Sequence, residues 1–189
     1  MNVSTNYHKT SEQIDRERKE LLRAKEDRKF FEPIYNRYHH QIMKFVYQRT
    51  ADSELAADIT QEIFLKAMLK LNQFEFRGLP FSAWLFRVAI NELNQYFRKN
   101  AKRRAISIDD STIQLMSDEL EDTGDLEDRK RKLPMALKEL SASDFQYIEM
   151  RFMENRPFKE IADILEITEN NAKVKTYRIV KKLQNLMKS

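Results

Sequence analysis

Cysteine is absent from the 189 residues, which removes disulfides, thiolate metal sites and thiol redox chemistry. Glycine occurs twice and proline four times, too few for the turn density of a sandwich or barrel. With 41% hydrophobic residues the composition favours helices, so the expected fold class is all-α. No apolar run approaches the roughly 20 residues that cross a bilayer. The N-terminal residues are polar and charged, unlike a secretory signal, so a cytoplasmic location without membrane insertion is expected. Also missing are a phosphate-cradling glycine loop, a nucleophile with its base and a metal-ligand set. No cofactor, metal or catalytic residue is therefore expected.

Charge is present in quantity and is segregated. Met1 to Arg104 holds 20 Lys/Arg against 13 Asp/Glu, Ala105 to Asp128 none against 9, and Arg129 to Ser189 14 against 8. Two basic blocks flank an acidic one. Basic side chains that neutralise phosphates release condensed counterions, so the outer blocks suit a polyanion and the middle one should stay off it. The acidic run is rich in Ser, Thr and Asp without a sustained helical period, the mark of a linker between two domains. Its Ile106, Ile108, Ile113, Leu115 and Met116 are more apolar than a bare spacer needs, which hints at a surface it lies against.

Before the linker, periodicity predicts helices over roughly Ser11 to Arg28, Phe30 to Gln48, Ser53 to Leu71 and Phe81 to Ala101. In the third, Leu55, Ile59, Ile63, Ala67 and Leu71 recur every four residues beside Ala56, Phe64 and Met68, with Asp52 or Ser53 as cap. Gly78 and Pro80 must turn the chain before the fourth. After the linker the pattern predicts a helix near Leu133 to Leu140, a second opened by Ser141 with Asp144 as a capping-box partner, and a pair of helices after Pro157. In that pair Ile161, Ala162, Leu165 and Ile167 supply an apolar side, and Thr168 caps the second member. Asn171, Lys173, Lys175 and Arg178 occupy its other faces, the pattern of a helix-turn-helix that reads a major groove. A helical hairpin with a solvated basic face is the plainer alternative.

Two further constellations stand out. Asp58, Gln61 and Glu62 fall at i, i+3 and i+4 opposite the Ile59 and Ile63 stripe, without a His or third carboxylate nearby. They form either an ordinary solvated face or a charged docking surface for a protein. On the fourth helix Phe81, Leu85, Val88 and Ala89 suit a buried stripe, to which Trp84 can also belong. Trp84, Arg87, Asn91, Gln95 and Arg98 nonetheless follow their own i+3 and i+4 stripe and run into Lys99, Lys102, Arg103 and Arg104. Planar, hydrogen-bonding and cationic groups together suit a single-stranded nucleic acid, whose bases want π faces and whose phosphates want cations.

The motifs Asp58-x-x-Gln61-Glu62-x-Phe64, Phe81-x-x-Trp84-Leu-x-Arg87-x-Ala89-x-Asn91 and Glu160-Ile-Ala162-x-x-Leu165 followed by Lys173 and Arg178 come in one order across an acidic linker. Over about Arg18 to Met187 the chain resembles an extracytoplasmic-function (ECF) sigma factor of the sigma-70 family, the small two-domain class of bacterial promoter-recognition subunits. The resemblance implies an N-terminal extension over 1–17, a promoter-melting helical domain (region 2) over 18–104, a linker over 105–130 and a helix-turn-helix domain (region 4) over 131–189. It implies a non-catalytic subunit that directs RNA polymerase core, through its β and β′ subunits, to promoter DNA. Asp58, Gln61, Glu62 and Phe64 would bind core. Phe76, Arg77, Trp84, Arg87, Asn91, Gln95, Arg98, Lys99, Arg103 and Arg104 would bind and melt the -10 element, with Lys102 among the phosphate contacts. Asn170, Asn171, Lys173, Lys175 and Arg178 would bind the -35 element. Relatives of this kind are commonly held by an anti-sigma factor, which becomes a candidate partner.

The chain departs from the family pattern at Glu166, where glycine is common, at Asn170 and Asn171, and at Lys175, where arginine is common. A lysine there loses the bidentate fork to guanine. The runner-up is a stand-alone helix-turn-helix regulator of duplex operators, which needs no polymerase.

Overall fold

The computed structural model describes residues 10–100, 112–113, 116 and 126–188. Lys102, Arg103, Arg104 and most of the acidic run lie outside them. The described residues are helical with connecting turns, and the chain divides into two compact units, Met1–Ala105 and Ile106–Ser189.

In the first unit α1 (Ser11–Glu26) opens on a capping box: Gln13 N–H donates to Thr10 Oγ1 at 3.3 Å, and Thr10 N–H to Gln13 Oε1 at 2.9 Å. It stops at Asp27, whose carboxylate accepts from Lys29 N–H at 3.0 Å and starts a 3-10 turn over Arg28–Phe31. Helix α2 (Glu32–Thr50) carries Pro33 in its first turn, where a missing N–H costs nothing, and ends at Ala51 in the left-handed region, φ 52°. Asp52 then caps α3 (Ser53–Leu69), accepting from Glu54 and Leu55 N–H, both at 3.1 Å. A 3-10 turn over Leu71–Gln73 and a loop lead to α4 (Phe81–Asn100).

Helix α3 packs between α2 and α4. Ile34, Tyr38, Ile42, Phe45 and Val46 of α2 and Ala56, Ile59, Ile63 and Ala67 of α3 are all buried, and Phe45 meets Phe86 of α4 with ring centroids 4.9 Å apart. Each such large side chain contributes about 1.5–3 kcal/mol when fully buried. The stripe expected on α4 shifts. Val88 is only half-buried, while Phe86, Ile90 and Leu93 join Phe81, Leu85 and Ala89 inside, because α4 is covered on a broader arc than a minimal stripe.

A boundary at residue 17 falls within α1, and Glu17 is buried at 2% exposure. Its carboxylate accepts from Phe81 N–H at 2.9 Å and from the Tyr38 hydroxyl, and it faces Arg37 at 3.4 Å. One carboxylate thus ties α1 to α2 and to the free N-terminus of α4, where the helix dipole favours a negative charge.

In the second unit α5 (Leu126–Lys138) begins earlier than the predicted Leu133, so the last residues read as linker are helical. Glu127 and Asp128 sit in its first turn and pair with Lys130 at 3.1 Å, Arg131 at 2.8 Å and Lys132 at 3.2 Å. Acids in a first turn and these i, i+3 and i, i+4 pairs support a helix that carries Pro134 inside it. Ser141 caps α6 (Ala142–Ile148), its hydroxyl accepting from Asp144 N–H at 3.1 Å. A π turn over Glu149–Met153 and left-handed Asn155, φ 46°, reverse the chain. Then come α7 (Phe158–Leu165), left-handed Glu166 at φ 56°, and α8 (Glu169–Lys188). Ile161, Ala162 and Ile164 are buried, whereas Leu165 and Ile167 are half-buried. Fully buried Arg156 donates to Glu160 Oε2 at 2.6 Å and so fixes the start of α7.

Glu17→Ala leaves two buried donors without their acceptor and should lower unfolding stability by about 3 kcal/mol in urea titrations. Glu17→Gln keeps an acceptor and should lose less; equal losses would deny the carboxylate its bridging role.

Candidate core-docking and promoter-binding surfaces

On α3, Asp58, Gln61 and Glu62 are exposed together. Phe64 does not share that face: it is 3% exposed and meets the Tyr35 ring edge-on at 4.8 Å. It packs behind the acidic face, since i+2 from Glu62 points to the opposite side of a helix. Glu62 is not a loose charge either. Lys66 bridges it at 3.1 Å to Glu92 on α4, and the hydrogen bond to Glu92, with that to Glu62, holds the Lys66 ammonium above the ordinary lysine pKa. These residues border a groove of about 230 Å³ between α3 and α4 that also reaches Gln95 and Lys99.

Along α4, Asn91, Arg98 and Lys99 are exposed and Trp84, Arg87 and Gln95 half-buried. Trp84 belongs to an aromatic cluster with Phe74 at 5.5 Å and Phe81 at 5.2 Å. It is neither sealed in the core nor free. Phe76 is half-buried under the Arg18 guanidinium at 5.1 Å, and Arg77 is exposed beside Glu75 at 3.6 Å. Gly78 holds φ +72° with open space where a Cβ would stand, so its role is conformational. The expected contacts Lys102, Arg103 and Arg104 fall outside the described residues.

On α8, Asn170, Asn171, Lys173 and Arg178 are exposed, and Asn171 N–H donates to Thr168 Oγ1 at 3.2 Å. Lys175 is half-buried, its ammonium 4.7 Å over the Tyr147 ring. A concavity of about 570 Å³ runs along Asn171, Val174, Lys175, Arg178 and Lys182 and meets Asp144 of α6. Lys182 pairs with Asp144 at 3.4 Å. Sequence reasoning missed Val174, 59% exposed, and Tyr177, 43% exposed. The signal was present, because both follow Asn170 and Asn171 at helical steps, but apolar types on that arc read as packing.

Residues 34–103 match the family model described as Sigma-70 region 2, and residues 130–183 that described as Sigma-70, region 4. The ECF RNA polymerase sigma factor SigM of Bacillus subtilis (strain 168) is 28% identical over 153 residues, which cover 81% of this chain and 92% of that protein. The chain belongs to the ECF sigma factors of the sigma-70 family.

The ECF RNA polymerase sigma-E factor of Escherichia coli (strain K12) is similar at 26% identity over 85% of this chain and 88% of its own. Two solved structures share the fold: CnrH in complex with the cytosolic domain of CnrY (TM-score 0.61, 19% identity, 91% of this chain and 97% of that one), and the sigma factor RpoE in complex with the anti-sigma factor NepR from Bartonella quintana (0.59, 22%, 84% and 96%). The protein is an RNA polymerase sigma factor: it binds polymerase core and acts in transcription initiation. Region 2 takes in nearly all of α2 with α3 and α4, and so both candidate faces of the first unit, and region 4 takes in most of α5, all of α6 and α7, and most of α8. Among the described residues no helix is long and apolar enough to cross a membrane.

Glu166 takes a left-handed conformation in which an L side chain is strained by about 1–2 kcal/mol. Glu166→Gly should therefore raise unfolding stability by about 0.5–1 kcal/mol after the added freedom of the unfolded chain is subtracted. Urea titration measures the gain, with affinity for a -35 duplex unchanged.

Proposed function

We propose that this sigma factor docks on core through Asp58, Gln61 and Glu62, opens the -10 element with the 74–80 loop and α4, and reads the -35 element with α8. The observation that carries the reading is the exposed Asp58, Gln61 and Glu62 face, backed by a packed Phe64 and braced by Lys66. Acidic groups fixed on a rigid helix give electrostatic complementarity to a basic partner segment, here the coiled coil of the β′ subunit. Trp84, Arg87, Asn91, Gln95, Arg98 and Lys99 offer one flank of α4 to a displaced strand: an aromatic, amide groups and cations in sequence. Flipping a base out of the stack is the step for which such groups are suited. Arg77 at the loop and Asn170, Asn171, Lys173 and Arg178 at α8 add phosphate and base-edge contacts.

The subunit itself is non-catalytic on this reading and works in the cytoplasm. Its partners are core, promoter DNA and an anti-sigma factor. The last is supported by the shared fold of the sigma factor RpoE from Bartonella quintana, which was solved in complex with the anti-sigma factor NepR.

Asp58→Ala, Gln61→Ala and Glu62→Ala together should weaken core binding about 100-fold, roughly 3 kcal/mol, in fluorescence titrations. Intact core affinity would remove these three residues from the docking face and place the contact elsewhere on the chain. Arg178→Ala should weaken -35 binding and reduce the slope of log K against log salt by about one. An unchanged slope would remove Arg178 from the phosphate contacts.

A further inference from the structure

The loop that precedes α4 is held by a helix outside the matched region 2. Residues 74–80 run from the Leu71–Gln73 turn to Phe81, with Glu75, Arg77 and Gly78 exposed. Three points along this stretch are tied to one face of α1. At its start, Lys25 Nζ donates to the Phe74 carbonyl at 2.6 Å and lies 5.8 Å over the Phe74 ring. In its middle, the Arg18 guanidinium covers the Phe76 ring at 5.1 Å. At its end, Glu17 accepts the Phe81 N–H at 2.9 Å.

Leu21 follows Arg18 by three residues and Glu17 by four, and Lys25 follows Leu21 by four, which places them on adjoining rows of the helix surface. Leu21 is buried, and the two cations rim a groove of about 340 Å³ between α1 and the loop. The family match begins at residue 34, so α1 lies before it. Arg18 is exposed and Lys25 half-buried. Unlike Glu17, they hold the loop without holding the core together.

We propose that α1 is a clamp that sets the conformation of the 74–80 loop, with Arg18 and Lys25 as positioning residues for selection among -10 sequences. The proposal rests on the reading of that loop as a -10 contact. A loop fixed before binding does not have to be ordered by the DNA, and it does not remodel to accept a misfit base. An unclamped loop loses on both counts: the preferred strand binds less tightly, and the gap between preferred and wrong strands narrows.

The test uses reconstituted holoenzyme and a non-template single strand selected by the wild-type holoenzyme from a pool randomised across the -10 hexamer. Affinity is measured for that strand and for its single-base variants. With Arg18→Met and Lys25→Met combined, the preferred strand should bind about tenfold more weakly, as the loss of one charge-assisted hydrogen bond and one cation-π contact allows. Discrimination should narrow, while core affinity and thermal unfolding stay at wild-type values. Arg18→Lys with Lys25→Arg, which keeps both cations, should restore most of the discrimination. If discrimination is unchanged in the Met variants while Phe76→Ala reduces it, the clamp is overturned and the loop reading stands. If Phe76→Ala and Arg77→Ala also leave discrimination unchanged, the loop reading itself fails and takes the clamp with it. A parallel fall in core affinity or thermal stability would assign Arg18 and Lys25 to folding and also overturn the proposal.

Discussion

Left-handed corners direct the helices that carry the candidate contacts. A chain with two glycines must turn mostly with residues for which positive φ is strained, and Ala51, Asn155 and Glu166 all adopt it. Ala51 ends α2 and lets Asp52 cap α3, which sets the helix that carries Asp58, Gln61 and Glu62. Asn155 and Glu166 bracket α7 and aim α8. Gly78, where no strain arises, lies in the loop read as a -10 contact. Strain at such corners persists only where packing on both sides over-determines them. At the α2-α3 corner Ile42, Phe45 and Val46 on one helix and Ala56 and Ile59 on the other are all buried.

Buried charge does a second part of this work, differently in the two units. Glu17 connects elements far apart in sequence: α1, Tyr38 of α2 and the first N–H of α4. Arg156 and Glu160 connect residues four apart and hold the entry to α7. A buried pair gains little over an apolar replacement, but removing one member leaves the other unsolvated, so it makes alternative packings expensive. In the first unit the specified feature is the register of α1 against the 74–80 loop. In the second it is the bend before the helix-turn-helix.

The all-α class, the four helices of the first unit and the helix-turn-helix were legible because their apolar periodicity is strong. Ile59, Ile63 and Ala67 lie where a four-residue recurrence places them, and Asp52, Ser141 and Thr168 cap the helices they precede. Three features were not legible. Phe64 reads both as a neighbour of the apolar stripe and as a motif member, and its burial against Tyr35 and His39 decides that it packs inside. Glu17 is one acid among many on a polar helix, and its meaning depends on an N–H 64 residues away. The early start of α5 was hidden because acids in a first turn look, in sequence, like the continuation of an acidic linker.

The surface of α8 carries the same lesson into specificity. A lysine at position 175 already lacks the fork that grips guanine, and its ammonium is occupied over Tyr147, a ring only 5% exposed. That contact draws the charge toward the protein. Exposed Val174 lies one residue away on the helix, in the concavity shared by Asn171 and Arg178. An apolar side chain in a major groove discriminates through the thymine methyl, whereas amides distinguish adenine and arginine guanine. On the proposed reading of α8 as a major-groove helix, the side chains that face outward are Asn171, Val174 and Arg178, while Lys175 is drawn back over Tyr147.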